Sequence, residues 1–498
     1  MKEMHITYIT CGAFILVYTI FLAAFSLAEF PDSAQVAGHM PFLSDKPVGE
    51  DGFYMLEVAW NAAAGKGVTG SNGETVTGIQ PLSTLIFAGI AKIIQITHGD
   101  KWTFVRAIIA FGGLNLVIFS FLVGKIAVAI QQDSNSAPNV FLLASVMALF
   151  NFGLFRLFTY GLETGIYLSF FAGLILFTLR RIPSRQPLDI VIFGLLAGLC
   201  GWARIDFGMV FFVFLLMAMR LRLMSLKQAL FSGLLALLVI TPWLVWVYAQ
   251  SGSFMPTSGA AQAEFLTTDT APVRLLVMAQ AVIAHANPWL YSVYSEIITP
   301  VRAVEMAALV LLATLIYFGR IDVGKIVHDL PKTYFAWCAA VIILIPLYTI
   351  FFWATYFYER YTSPLICVML PFMAIIFSAI FAKIECEKRV IHVFFLALAA
   401  SFCVFSYRQF HMGLLGGSHS VVAGFVQKYI DKGTPVGSFQ TGALAYFNDN
   451  VINLDGKGII TLCKHCTRIV WKNILMTKVL PFSLIGLFCF PDIYIKIG

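Results

Sequence analysis

Twelve apolar stretches fill most of the chain between residues 6 and 406: 6–28, 82–97, 104–130, 138–156, 164–179, 188–204, 206–219, 229–249, 304–319, 334–354, 362–382 and 390–406. A helix rises about 1.5 Å per residue, so roughly 20 apolar residues cross a hydrocarbon layer about 30 Å thick. Inside that layer a backbone must satisfy its own hydrogen bonds, and apolar runs of this length do so as helices. An all-α polytopic membrane protein follows, and 59% hydrophobic against 12% charged residues in 498 excludes a soluble globular chain. The net charge of +7 sits largely in short basic linkers, so it reports topology and not a nucleic-acid footprint. The first stretch is longer than a signal-peptide core and lacks a small-residue cleavage site, which predicts a retained helix.

Basic clusters mark the cytoplasmic side: Arg180, Arg181 and Arg185; Arg220, Arg222 and Lys227; Arg320, Lys325 and Lys332; Lys383, Lys388 and Arg389. Residues 29–81 instead carry seven carboxylates (Glu29, Asp32, Asp45, Glu50, Asp51, Glu57, Glu74) against Lys46 and Lys66, and are taken to lie outside. The loop at Tyr160-Gly161-Leu162-Glu163 belongs outside as well, because the span after it ends at Arg180-Arg181. Two outside loops need an even number of crossings between them, yet three apolar stretches intervene. The shortest, 82–97, opens after Pro81 and contains Lys92, so it is expected to lie along the outer surface. About eleven spans remain, with the N-terminus inside and a large first outer loop, 29–103. Residues 1–406 form the transmembrane module, and 407–456 a small extracytoplasmic α/β segment whose turn signals are Gly413, Gly416-Gly417 and Gly433-Thr434-Pro435.

Chemistry is expected where acid meets grease. Glu50-Asp51 is followed at once by Phe53, Tyr54, Leu56, Val58 and Trp60. Most loop carboxylates are simply solvated, but one beside aromatic residues at a membrane surface loses solvation and is tuned toward general-base work. Glu50 is either its partner or a second exposed acid. Glu163, in a loop that re-enters the membrane within a residue or two, is costly unless paired or functional. Arg204 and Asp206 form either a structural ion pair or, for the arginine, an anion contact. Arg360, flanked by tyrosines, is either neutralised by Glu359 or bound to phosphate, whose oxygens a guanidinium fork matches. Arg408 is a third outer cation. His39, His98, His285, His411 and His419 show no metal-ligand spacing, and P-loop and dinucleotide fingerprints are absent. Cys11, Cys200, Cys338, Cys367 and Cys403 lie in apolar runs as small hydrophobes. Cys463-Lys-His-Cys466 is a single pair without a heme-type histidine after it.

The run Glu50-Asp51-Gly52-Phe53-Tyr54, then Ala59, Asn61, Ala64-Gly65-Lys66-Gly67 and Gly78-Ile79-Gln80-Pro81-Leu82, resembles the first outer loop of bacterial GT-C fold glycosyltransferases. It is most similar to the terminal arabinofuranosyltransferases and mannosyltransferase-like families. Gly161-Leu162-Glu163-Thr164, Ala203-Arg204-Ile205-Asp206, Pro256-Thr257-Ser258-Gly259 and Asn453-Leu454-Asp455-Gly456 extend the resemblance across residues 6–456. It implies transfer of a sugar from a polyprenyl-phosphate donor to an envelope glycan or glycolipid at the outer face of a bacterial cytoplasmic membrane. Asp51 would deprotonate the acceptor hydroxyl for an inverting displacement, with Glu50 and Glu163 beside it. Arg204, Arg360 and Arg408 would face the donor phosphate, and Tyr54, Asn61, Gln80, Asp206, Ser258 and Tyr361 would line the substrate site. The resemblance implies no cofactor beyond a divalent cation as an option. Ser83 and Gln262 depart from the family pattern, where tryptophan and a basic residue are usual.

A transporter or lipid flippase is the rival class. It would concentrate charge at the bilayer midplane, whereas these ionisable residues gather at outer helix ends. Residues 457–478 hold five basic residues and no acid, and 479–495 are apolar but broken by Pro481 and Pro491. Such a tail reads as a frameshifted or otherwise altered end.

Overall fold

The computed structural model describes residues 2–26, 30, 42–70, 73–131, 137–182, 186–254, 271–286, 321–352, 358–383, 387–411, 418–438, 441–453 and 494–496. Helices α1 (Lys2–Phe25), α2 (Glu50–Ala63), α3 (Pro81–Ile96), α4 (Lys101–Ile130), α5 (Ala137–Leu149), α6 (Phe152–Thr159), α7 (Thr164–Arg181), α8 (Pro187–Ala203), α9 (Phe207–Arg220) and α10 (Leu226–Ser251) form the first half. The second half comprises α11 (Ala271–Ala286), α12 (Val323–His328), α13 (Lys332–Ile342), α14 (Leu344–Phe351), α15 (Tyr358–Thr362), α16 (Ile366–Phe381), α17 (Glu387–His411), α18 (Ser418–Tyr429) and α19 (Gly442–Phe447). The protein is an all-α polytopic membrane fold. Among the described residues six helices are long and apolar enough to cross a bilayer, or seven if α5 and α6 count as one bent span. Helices α8 and α9 match the expected stretches in length, at 17 and 14 residues, and are too short to count among those six. The expected span 304–319 lies outside the described residues. The expected total of eleven therefore rests on the sequence pattern.

One expected span is broken. The stretch 138–156 bends by 59° between Leu149 and Phe152. The Asn151 side chain accepts from the Leu154 amide at 3.0 Å, so a second helix starts where hydropathy alone continues the first. The bent helix runs on to Thr159, and its end delivers Tyr160 to the first interhelical segment.

Close packing in the bundle uses small residues. A Cβ added at Gly194, Gly198 or Gly201 on α8 would meet α10 side chains or backbone at 2.4–2.9 Å, so α10 lies almost backbone to backbone on α8. The far side of α10 leaves Leu230, Leu234, Leu237 and Val245 exposed, as a lipid-facing stripe should.

The segment between α1 and α4 is built as a platform. The last carbonyls of α2 are satisfied from α3, by Lys92 Nζ to Ala63 O at 3.2 Å and Gln95 Nε2 to Trp60 O at 3.1 Å. Onto this platform docks the C-terminal module. Its strands β1 (Val436–Ser438) and β2 (Val451–Asn453) pair in parallel, with α19 in the crossover between them, and β3 (Tyr494–Lys496) pairs antiparallel to β1. Apart from β3, residues 454–498 lie outside the described residues, including Cys463 and Cys466. Aromatic rings make the joint: Phe53 meets Tyr446 and Phe447, and Phe447 stacks on Trp102 at 4.4 Å. Lys101 Nζ donates to the Tyr446 carbonyl while the Tyr446 hydroxyl donates to the Lys101 carbonyl, a reciprocal clasp at 2.6 and 2.8 Å.

Candidate active site

Asp51 occupies the first turn of α2, where the positive end of the helix dipole favours a carboxylate. The start of the helix is fixed by close backbone approaches. The Gly49 amide donates to the Tyr160 carbonyl at 3.2 Å, and a Cβ at Gly49 would fall 1.9 Å from the Tyr160 ring. On the other flank, a Cβ at Gly442 would fall 1.9 Å from the Glu50 carbonyl oxygen. The Tyr160 turn and helix α19 thus clamp the acidic pair from two sides.

The two acids meet different surroundings. Asp51 is 44% exposed and takes an ion pair from Arg360 Nη1 at 3.3 Å. Glu50 faces inward: its Oε2 accepts the Ala443 amide at 3.0 Å and lies 4.0 Å from His419 Nδ1. Its Oε1 is buried without a hydrogen-bond partner among the described residues. Burial raises the Glu50 carboxyl above the usual range, partly offset by His419 and the Ala443 amide. Glu50 joins the platform to the C-terminal module, while Asp51 stays half-exposed beside Arg360.

Arg360 lies on α15, a five-residue helix that enters the α16 span through a 3-10 turn at Ser363–Leu365. Its Nη2 donates to the Tyr361 hydroxyl at 3.0 Å, and its guanidinium lies 4.9 Å from the centre of the Tyr361 ring. Its own carbonyl accepts from Ser363 Oγ at 2.7 Å and from Arg204 Nη1 at 3.0 Å.

Behind this lies a second, closed cluster. Arg204, only 2% exposed, grips Asp206 with two parallel bonds, Nε to Oδ1 at 3.0 Å and Nη2 to Oδ2 at 2.6 Å. The Tyr348 hydroxyl accepts from Arg204 at 3.2 Å and donates to Asp206 at 2.5 Å. Tyr361 stacks on Tyr348 with centroids 4.5 Å apart, and Arg204 also lies 4.9 Å from the Tyr361 ring centre and 5.4 Å from Tyr167. The α8–α9 junction supplies the bidentate geometry, because the chain turns extended at Arg204 and re-enters a helix at Phe207. Of the two readings open for Arg204 and Asp206, this geometry is the ion pair. Glu163, 6% exposed at the start of α7, lies within electrostatic reach of both Arg204 and Arg360.

Asp51, Arg360, Tyr361, Glu163, Arg204 and Asp206 therefore share one neighbourhood, although they come from four separate parts of the chain. Asn61 and Tyr54 do other work. Asn61 Nδ2 donates to Thr69 O at 3.0 Å and pins the loop after α2. Ten residues on from Asp51 along α2, it is about 15 Å away. Tyr54 packs on the small cluster of Val58, Val76 and Ile79. Gln80 caps the start of α3 through its carbonyl, which accepts from Thr84. Ser258 lies outside the described residues, as does the side chain of Arg408 on α17.

In the sequence Tyr160 is no more than a loop landmark. Its phenol lies among Asp51, Arg360, Glu50 and Arg156, and burial raises it above the ordinary tyrosine range, which keeps its O–H as a donor. Glu57, two turns after Glu50 on the same face of α2, is 6% exposed, with Oε2 unpartnered among the described residues. Burial pushes its carboxyl up to about 8. Among the described residues no group of three or more His, Cys, Asp or Glu converges as a metal site would require.

No family model matches the chain, and no curated protein does. Among solved structures, ArnT from Cupriavidus metallidurans in its apo state matches with a TM-score of 0.53 at 10% sequence identity, over 97% of this chain and 95% of that one. The two chains share one fold over that length.

Proposed function

We propose that this GT-C protein transfers a sugar from a polyprenyl-phosphate donor to a glycan or glycolipid acceptor at the outer face of a bacterial cytoplasmic membrane. The observation that carries the reading is the Asp51–Arg360 pair: a half-exposed carboxylate and a guanidinium 3.3 Å apart, above a buried and satisfied cluster. Asp51 takes the proton of the acceptor hydroxyl. The acceptor oxygen forms its bond to the anomeric carbon from the face opposite the phosphate, and the bond to phosphate breaks with inversion. The polyprenyl phosphate leaves with the electron pair, and Arg360 meets the charge that develops on it. Donor phosphate and Asp51 compete for the same guanidinium. Binding of the donor therefore frees the carboxylate to act as a base, so the base is released only when there is something to attack. Glu50 holds Asp51 against the C-terminal module, and Arg204 with Asp206 holds the floor on which Arg360 rests. In this topology α3 lies along the outer surface and the basic linkers face the cytoplasm.

The shared fold over nearly the whole of both chains supports a sugar-transfer reading over the transporter alternative. The test is turnover by the purified protein in nanodiscs. A panel of synthetic polyprenyl-phosphate pentoses and hexoses serves as donors, with glycolipid extracted from a deletion strain as acceptor. Transfer of one sugar, matching one terminal residue missing from that strain, supports the proposal. No transfer across the panel, together with an intact glycolipid profile in the deletion strain, overturns it.

A further inference from the structure

Helix α11 touches both short helices that build the phosphate side of the site. One face of it is buried at Arg274, Met278, Ala281 and His285, spaced 4, 3 and 4 residues apart as one helical stripe requires. At one end, Arg274 Nη1 donates to Thr349 O at 2.7 Å and lies 3.4 Å from Ile350 O, among the carbonyls that close α14. That helix carries Tyr348. At the other end, His285 Nε2 bonds Thr362 Oγ1 at 2.9 Å and the ring hydrogen-bonds the Glu359 carbonyl. Those two partners flank Arg360 and Tyr361 on α15. A backbone carbonyl only accepts, so a ring N–H points at Glu359 and the other nitrogen takes the Thr362 hydroxyl proton. The side chain of His285 is buried and Thr362 is fully so, which makes loss of either partner costly.

From this we propose that His285 is a positioning residue for the Arg360 guanidinium, and that α11 sets the distance between Tyr348 and the Arg360–Tyr361 pair. A helix of five residues has no stable fold of its own. Its orientation is set by bonds from outside: Arg204 and Ser363 on the Arg360 carbonyl, and His285 on the residues to either side. The imidazole neither touches the reacting atoms nor moves a proton. It keeps a guanidinium aimed, and a small misplacement of such a group weakens the anion contact far more than the fold.

The inference rests on the donor-phosphate reading of Arg360, so its test includes binding as well as turnover. His285→Leu and Thr362→Val each remove one side of the same bond, while His285→Gln keeps both a donor and an acceptor. We expect His285→Leu and Thr362→Val to raise the donor KM about five- to tenfold, with kcat and acceptor KM within twofold of wild type. The double variant should be no worse than the worse single one, because the two act through one bond. His285→Gln should recover most of the loss. Unchanged donor KM in Thr362→Val, the nearly isosteric variant whose folding is least at risk, overturns the inference, as does full additivity in the double variant. Titration of polyprenyl phosphate itself, followed by protein fluorescence, separates the two failures. If wild type binds it and both single variants bind it more weakly, the positioning role stands even where no transfer is found. If wild type does not bind it, both readings fall.

Discussion

The Asp51 and Arg204 sides of the site hold the same ingredients, one carboxylate and one guanidinium each, in opposite states. Arg360 reaches Asp51 by one bond of 3.3 Å, and the carboxylate stays 44% exposed. Arg204 and Asp206 make two parallel bonds with a tyrosine bridging them, at 2% and 12% side-chain exposure. A buried pair with every bond made holds structure, and exchanging one partner there leaves a bare charge. A single, half-solvated contact can be traded for a substrate. The chemistry is thus expected on the looser side, and the variants below push on that division.

Asp51→Asn should be the largest effect on turnover. The amide keeps the shape and cannot take a proton, so transfer should fall by about 10²–10⁴ while insertion and yield hold. Wild-type turnover from this variant would remove the division at once, and the transporter reading would move ahead of it.

On the closed side the damage should be to folding. Arg204→Leu strands Asp206 in a buried site, at about 3–5 kcal/mol, and should show first as lost yield and thermal stability. A well-folded Arg204→Leu protein with only a raised donor KM would instead make Arg204 an anion contact, and the two sides would be alike after all.

Arg360→Ala should fold and raise the donor KM roughly ten- to a hundredfold, the loss of one charge-assisted contact of about 1.5–3 kcal/mol. Acceptor KM should stay near wild type. Because guanidinium charge meets the phosphate in this scheme, a chelator should leave turnover unchanged. Loss of turnover in chelator, restored by added magnesium or manganese, would move part of that work to a cation.

What could be read from the sequence follows from what hydropathy and charge encode. Long apolar runs and basic linkers report burial in lipid one residue at a time, so helices α1, α4, α10, α16 and α17 and the acidic segment before α4 were all visible. Asp51 was visible because an acid beside aromatic residues is unusual locally. The break at Asn151 was not, since one capping side chain inside an apolar run barely changes the hydropathy. Tyr348, His285 and Arg274 could not be found for a different reason. Their partners lie 142, 77 and 75 residues away in the chain, and only the fold brings them together. The choice between ion pair and anion contact at Arg204 is of the same kind, because it turns on Tyr348 and the Arg360 carbonyl, neither of which the motif contains.

Glu57 should give the smallest effect on turnover, its change appearing instead in stability and depending on pH. It shares a face of α2 with Glu50 but is turned away from the site, buried near Lys101, Asp449 and Lys66, of which the lysines favour its charge and Asp449 opposes it. Burial dominates, and the carboxyl rises from 4.5 to about 8. The folded protein therefore holds a proton that the unfolded chain has already lost between those two values. Across that window stability falls as pH rises, and the loss is complete once the pH has passed the folded value. Glu57→Gln is neutral in both states and lacks this slope. Its thermal midpoint should match wild type near pH 4.5, exceed it by a margin that grows through pH 6 and 7, and level off above about pH 8. Turnover at pH 7 should not change, because the wild-type carboxyl is already protonated there and lies outside the Asp51–Arg360 contact. Melting curves of both proteins in one detergent, taken at intervals from pH 4.5 to 9, decide the matter. A difference that stays flat with pH would mean that Glu57 is ionised when folded, with Lys101 or Lys66 holding its charge. The platform under Asp51 would then be an ion-paired one, closer in kind to the Arg204 side than the burial of Glu57 implies.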